Sequence, residues 1–519
     1  MANSAPGVNI NVTASASSPT ANAATGTWFV LGVAAGPAGV AVPVNSMSDF
    51  NTYFGQIVNG QVTGRYTLNS HVDSTLLYDA LDVFFREGGV RAYVSRIEPQ
   101  STGVAATSGT TGGKFVLTAF GKGTWANSSN SGANGVILTL SGATVNSNTV
   151  YTAAISYNGT TLARTGGLTS DVDVVNWINS LSNYVSMCYA STVSGSSILP
   201  ASGSSVSIYL TGGTDASVAD ADVPAALSVF SDAFGPGQIS YPGATSVSTY
   251  VNLADHAQAN NRVAVLDAQN TGVAADLLSD AATIQGTAID PSYASIFAPW
   301  LIVPGVVNTN PNQPAGAVIN RTVAPSALAA AKMAANDSVT DANNPAAGIT
   351  NGKSNYSVNI SAAFSAADRA SLNSAGINVI RNVPGANIIA VYGYRSLAFD
   401  ANWQFLNNVR FRMQVTRDFN FIAESFVFAE IDGKGHLFAT LNGALAGQCQ
   451  SYWTRKSIYG ATPSEAFSVN TGPQINTPAT IAVGQVNAAV NLRMSPFGEF
   501  VTVNVTKYLV TAPLPNYNA

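Results

Sequence analysis

The sequence predicts a multidomain protein of mixed α/β and α+β class: an α/β domain interrupted by a β-rich insertion, then a C-terminal α+β domain. Three observations predict it. The chain is 519 residues long, beyond the roughly 250 to 300 residues at which a single core stops growing. A pattern of buried strand, helix and buried strand occurs on both sides of a Gly/Ser/Thr-rich stretch. After about residue 395 that pattern gives way to two long helical periodicities and then to alternating segments.

Residues 1–26 are small and polar and carry one alternating patch, VNINVT at 8–13, which reads as a short strand on an arm without its own core. GTWFVLG predicts a buried strand ending in a Gly/Pro loop. A helix follows over 74–86, with Leu76, Leu77, Leu81 and Phe84 at helical spacing. Gly88 and Gly89 stop that helix, and GVRAYVSRI predicts the next buried strand. Between about 100 and 215, runs such as KFVLTAF, GVILTL, TVYTAAISY and VSIYL predict β structure with one helix over 171–189, on which Val174, Trp177, Ile178 and Leu181 share a face. ADVPAALSVFSDAF and TSVSTYVNLADHAQANN then predict helices, and RVAVLDA and APWLIVPG buried strands. A long helix over 402–428 and a second over 436–455 open the last part, and AFSVNT, ATIAVGQVNAAVNL and EFVTVNVTKYLV predict three strands. The resulting partition is 1–26 arm, 27–99 and 216–395 the two parts of the α/β domain, 100–215 the insertion, and 396–519 the C-terminal domain.

Charge is the unusual quantity. Charged residues make up 9% of the chain, against roughly 25% in typical soluble proteins. Asn, Ser, Thr and Gly take their place, and a surface of that kind lets copies approach at little desolvation cost. The net charge is −5, and without a basic run the counterion-release term of nucleic-acid binding has no source. The N-terminal stretch lacks the basic and apolar regions of a secretory signal, and SIFAPWLIVPGVV, broken by Pro299 and Pro304, is too short to span a bilayer, so membrane insertion is not expected. Cys188 and Cys449 form no metal-binding or redox spacing and read as small core residues.

Chemistry is sparse. His71, His256 and His436 are the only imidazoles, and none lies in a metal-ligating motif; His436 reads as an exposed residue at a helix start. GITNGKS at 348–354 and TGGKF around Lys114 approach a phosphate-cradling loop but have the wrong spacing, so both read as turns. No catalytic residue, cofactor site or metal site is expected. Arg410, Arg417 and Glu424 recur every seven residues along the long helix, either as a solvated stripe or as a docking face for a partner. Phe405, Phe411, Phe419, Phe421, Phe426 and Phe428 read as core.

Several colinear segments together resemble the tail sheath proteins of contractile bacteriophages and related injection machines. SAADRASLNSAGINVIRNVPGANIIAVYGYRSL at 365–397 is similar to that family's "LN..GIN.IR" stretch and its "G.R(S/T)L" signature, here Gly393, Arg395, Ser396 and Leu397. NNVRFRMQVTRDFNFIAESFVF resembles the long helix that follows it. LNGALAGQC, NTPATIAVGQVNAAVNL and SPFGEFVTVNV resemble the family's closing elements, and TWFVLGVAAGPAG, SDFNTYFG and ALDVFFREGGVRAYVSRI its opening ones. GKGTWAN resembles a "G.WGN" turn with Ala126 in place of glycine, and APWLIVP a "PW..V" strand. Between about 305 and 364 the chain departs from the pattern.

The resemblance implies a subunit that polymerises as helically stacked hexameric rings around an inner tail tube, with baseplate and tail terminator proteins as further partners. It implies a place in a virion tail assembled in the host cytoplasm, and contraction that drives the tube through a cell envelope. Both chain ends would be donated to neighbouring copies, through Val8, Ile10 and Val12 at one end and Phe500, Val501, Val503 and Val505 at the other. Arg410 and Arg417 would face the tube. The competing reading is a static capsid or surface lattice, which low charge and β-rich insertions also fit.

Overall fold

The computed structural model describes residues 25–69, 71–109, 113–130, 132–305 and 320–499, together with Val503 and Lys507. An eight-stranded sheet organises the larger part. Its order is Val42–Val44, Ala92–Arg96, Trp28–Gly32, Gln238–Ser240, Val263–Asp267, Ala294–Ala298, Ile377–Val383 and Ile388–Val391. The six central strands are mutually parallel and the two outer ones antiparallel to their neighbours. Central parallel strands are covered on both faces, so they read as continuous apolar runs; Trp28–Gly32, Val263–Asp267 and Ala294–Ala298 are buried at every position.

The two-residue alternation of a strand decides which side chain enters which layer. Trp28, Val30, Val263 and Val265 enter a cluster with Leu77, Leu81 and Phe84 of the Thr75–Arg86 helix and Leu328 and Met333 of the Pro325–Val339 helix. Phe29, Leu31, Ala264 and Leu266 enter the opposite cluster, with Tyr250 and Leu253 of the Val247–Ala259 helix and Leu277 and Ile284 of the Ala274–Thr287 helix. Each large apolar side chain fully removed from water there contributes about 1.5–3 kcal/mol. Leu76, expected on the core face of its helix, is 46% exposed; Leu77, Leu81 and Phe84 already fill the stripe that meets the sheet.

Between the sheet strands Ala92–Arg96 and Gln238–Ser240 the chain builds a separate β-rich body. Four antiparallel strands run in the order Thr160–Leu168, Asn148–Tyr157, Val136–Val145 and Ser205–Tyr209, and three more in the order Cys188–Thr192, Phe115–Lys122 and Ala105–Thr107. Asn158 and Gly159, both at positive φ, make the tight hairpin between Tyr157 and Thr160, a turn whose twist suits the flanking strands. The helix expected over 171–189 spans Asp171–Ser180, opened by a Ser170/Asp173 capping box. After the short Asn183–Ser186 helix, residues from Cys188 onward form a strand instead, because pairing with Phe115–Lys122 satisfies their backbone. ADVPAALSVFSDAF likewise forms only the short helix Val223–Leu227 between single 3-10 turns at Asp220–Asp222 and Asp232–Phe234.

The C-terminal part holds the Leu406–Glu424 and His436–Thr454 helices and one antiparallel strand pair, Phe467–Asn470 with Ala489–Leu492. The strand expected across ATIAVGQ is the short helix Pro478–Ala482: Thr477 accepts a hydrogen bond from the Thr480 amide and Pro478 opens the first turn. EFVTVNVTKYLV lies outside the described residues except for Glu499, Val503 and Lys507.

Candidate assembly interface

Several of the scarce charges are paired inside the molecule. Arg321 pairs with Asp79 at 2.7 Å and Asp82 at 2.8 Å, Lys332 with Glu87 at 2.6 Å, and Arg410 with Asp337 at 2.5 Å, all buried. Breaking a buried pair strands a charge in a poor solvent, so these contacts tie distant segments into one arrangement.

This overturns the expectation for Arg410. Its side chain is 2% exposed, and its guanidinium also donates to the Tyr394 hydroxyl and the Thr25 carbonyl. Burial alone would push its pKa down; Asp337 outweighs that and holds it up. Arg417 is half-buried with one terminal nitrogen buried and unbonded within the described residues, while Glu424 is exposed. The three do not form one solvated stripe, because residues 406–415 of the helix are buried nearly all round. The phenylalanines divide as well. Phe411 is core and Phe419 packs beside it, but Phe421 is 75% and Phe428 87% exposed, which corrects the reading of both as core.

Three features of this region leave bonding capacity at the surface. The first is the Phe467–Asn470/Ala489–Leu492 pair, which no third strand joins among the described residues. An isolated two-stranded pair is marginal in water, and its open edges are templates for another chain. The second is the exposed pair of rings Phe421, in the last turn of the long helix, and Phe428, just past its end.

The third is a groove of about 740 Å³ between the main sheet and the last described stretch, lined by Tyr392, Tyr394, Trp403, Phe405, Met494 and Phe497 among others. Glu499 is the single carboxylate on its wall, and Arg395 neutralises it through hydrogen bonds of 3.0 and 2.6 Å. The groove offers aromatic and amide contacts without an acid–base couple.

The first and last continuously described residues are pinned to the body. Thr25 donates its hydroxyl to Asp337 at 2.5 Å, and its carbonyl accepts from the Gln238 amide at 2.6 Å. Glu499 is held by Arg395 and by Asn373 at 3.0 Å. Val8, Ile10, Val12, Phe500, Val501 and Val505 lie outside the described residues; Val503 is described and 77% exposed. Sequence reasoning passes over Glu499, although its isolation is a signal: it is the only acid after Glu465.

The histidines sit in structural settings. His256 meets the Arg262 guanidinium at 3.1 Å, and burial followed by that charge pushes its pKa down to about 4. His71 contacts Ser217 at 2.9 Å, and His436 opens its helix in exposed surroundings. Among the described residues no group of three or more His, Cys, Asp or Glu could hold a metal ion, and no helix is long and apolar enough to cross a membrane. Cys188 and Cys449 are both buried. The near-loop around Lys353 is a turn after the short Gly348–Asn351 helix, bridged to Ala390.

No protein-family model and no curated protein matches the sequence. Solved structures do. The contracted helical sheath of the anti-feeding prophage is similar at 17% identity and a TM-score of 0.52, covering 97% of this chain and 99% of that one. The contracted sheath of the extracellular injection system PVC is similar at 15% identity and TM-score 0.51, covering 98% of each chain. A sheath tail protein from Listeria innocua is similar at 14% identity and TM-score 0.54, over 88% of this chain and 90% of that one. The fold of this chain is the tail sheath fold.

Proposed function

We propose that this chain is the structural subunit of a contractile tail sheath, polymerising as helically stacked hexameric rings around an inner tube and shortening to drive that tube through a cell envelope. The observation that supports this best is the extent of the fold match: the chain and sheaths captured in the contracted state correspond over nearly the whole of both lengths. A fold alone does not assign function, but the surface chemistry agrees with the assignment. Low charge permits close approach between copies, and the C-terminal strand pair has edges to spare.

In this reading the arm within residues 1–26 carries one donated strand at 8–13 and the C-terminal segment another at 499–510, with Val8, Ile10 and Val12 at one end and Phe500, Val501, Val503 and Val505 at the other. They add to the open Phe467–Asn470/Ala489–Leu492 pair of neighbouring copies. Strand addition supplies about 1 kcal/mol net per hydrogen bond, and the threads keep subunits connected while the folded bodies rotate. The 27–99 and 216–395 segments form the rigid body, 100–215 an outer insertion, and 396–519 the assembling domain. Contraction is a collective passage from a kinetically trapped lattice to one of lower free energy, with no nucleotide in the step. Of Arg410 and Arg417, only Arg417 remains a candidate for facing the tube. Baseplate and terminator proteins cap the polymer, and the particle is a virion tail, where the stroke serves genome ejection.

Electron microscopy of the purified full chain tests this. Hollow cylinders are expected, and removal of residues 1–20 should leave folded monomers that form none. Contractile cylinders from the truncated chain, or a flat lattice of one fixed spacing, would contradict it; the second outcome is what a static capsid or surface protein gives.

A further inference from the structure

The stretch after the last described strand, Ala489–Leu492, is zipped to the body only part of the way. Arg493 donates its amide to the Ala466 carbonyl and accepts from Tyr459. Ser495 donates its amide to the Ser457 carbonyl at 3.1 Å and its hydroxyl to Lys456 at 2.7 Å. Four residues further on, Glu499 is taken up by the Arg395 guanidinium in a two-pronged contact, Nε to Oε1 at 3.0 Å and Nη2 to Oε2 at 2.6 Å. Asn373 donates to the same carboxylate. Burial by itself would raise the Glu499 pKa, but the hydrogen bonds from Arg395 and Asn373 outweigh it and hold the carboxylate below its ordinary range.

Arg395 is itself fixed from two sides. Its amide donates to Asn378 Oδ1 at 2.6 Å, and its carbonyl accepts from Asn378 Nδ2 and Ser295 Oγ at 2.8 Å each, which locks its backbone to the main sheet. The guanidinium lies 5.3 Å from the centre of the Phe405 ring, at the start of the long helix. A planar fork on a locked backbone is the arrangement that orients a carboxylate rather than merely attracting it.

We infer that Arg395 is a positioning residue for assembly: by clamping Glu499 it fixes the point at which the chain's last segment leaves the body, so that this segment is presented to a neighbouring copy in one direction. The inference rests on the sheath reading for its purpose, and on the clamp geometry for its existence. Without the clamp the last hydrogen-bonded residue among the described ones is Ser495, and four residues of slack are added, roughly 13 Å at ~3.3 Å per residue. A donor strand that must be oriented at the moment of binding binds more weakly and encounters its site at lower effective concentration.

The test uses the full chain and two readouts. In the monomer, Arg395→Ala should raise the rate of chymotryptic cleavage after Phe497 about tenfold with Tm unchanged, since only local opening is affected. In the polymer, the same variant should raise the critical concentration for cylinder formation about tenfold. Arg395→Lys should fall between, because a point charge loses the fork. The charge-swapped pair Arg395→Glu with Glu499→Arg should restore both quantities, which no general loss of stability can do. If Arg395→Ala fails to fold, Glu499→Gln carries the test, with a smaller rise in cleavage expected. Unchanged cleavage in a folded variant overturns the clamp. A wild-type chain that never forms cylinders overturns the sheath reading, and the cleavage rates then decide the clamp alone.

Discussion

The main-sheet body and the C-terminal region are built from the same apolar residues and end in opposite conditions. In the body, parallel strands are covered on both faces by two large clusters, and the ionic groups Arg321, Lys332, Asp79, Asp82 and Glu87 are paired internally. In the C-terminal region a cluster of Phe411, Val415, Tyr452, Ile458 and Ala466 supports a two-stranded pair, while Phe421 and Phe428 face outward. Among the described residues the body pairs its central strands and these charges internally, whereas no third strand joins the C-terminal pair. A subunit that must keep its shape while its contacts are remade needs both conditions in one chain.

The comparison is broken most severely at the buried charge where the two regions meet. Asp337→Ala leaves Arg410 buried without its carboxylate and should cost about 3–5 kcal/mol, read as a fall in the urea midpoint of the whole chain. Within the body, Leu77→Ala should cost about 3 kcal/mol by opening a cavity. Its exposed neighbour supplies the control: Leu76→Ala should change stability by less than about 0.5 kcal/mol.

A titration sharpens the contrast further. Asp418 in the C-terminal region accepts a hydrogen bond from the Tyr452 hydroxyl at 2.9 Å, and burial pushes its pKa up to about 7. A carboxyl whose folded pKa lies above its unfolded value binds more protons when folded, so stability falls as pH rises from about 4 to 7. Asp418→Asn should remove about 1–2 kcal/mol of that fall in urea midpoints measured across the range. Asp267 in the body, also raised to about 7 by burial, keeps its share of the slope. The smallest effect belongs to the exposed aromatics. Phe421→Ser should move the monomer's stability by less than about 0.5 kcal/mol, and a larger fall in the chemical denaturation midpoint would place that ring in the core after all.

Much of this architecture is legible in the sequence. Trp28–Gly32 and Val263–Asp267 announce themselves because a strand buried on both faces reads as a short, nearly continuous apolar run. The two C-terminal helices show because their periodicity persists for 19 residues each. Where sequence and fold disagree, the reasons are physical as well. Over 478–482 a cap and a proline at the first turn outweigh an alternation that suits a strand. Arg410 is misplaced by its spacing because a seven-residue repeat marks a common face without saying which face is wet, and the first half of that helix is enclosed on every side. The clamp is half legible: Arg395 stands in a recognisable motif, but its partner lies 104 residues away and only the fold brings Glu499 to it.

The claim that the C-terminal pair is completed by other copies can be tested by placing one cysteine in each of two populations. Ile10→Cys in one and Val490→Cys in the other, mixed, assembled and oxidised, report whether the arm reaches a foreign strand; the native thiols of Cys188 and Cys449 are buried. Disulfide dimers that contain one chain from each population are predicted. If instead the double variant Ile10→Cys with Val490→Cys closes only within its own chain at every concentration, and the mixture yields no mixed dimer, the account is contradicted.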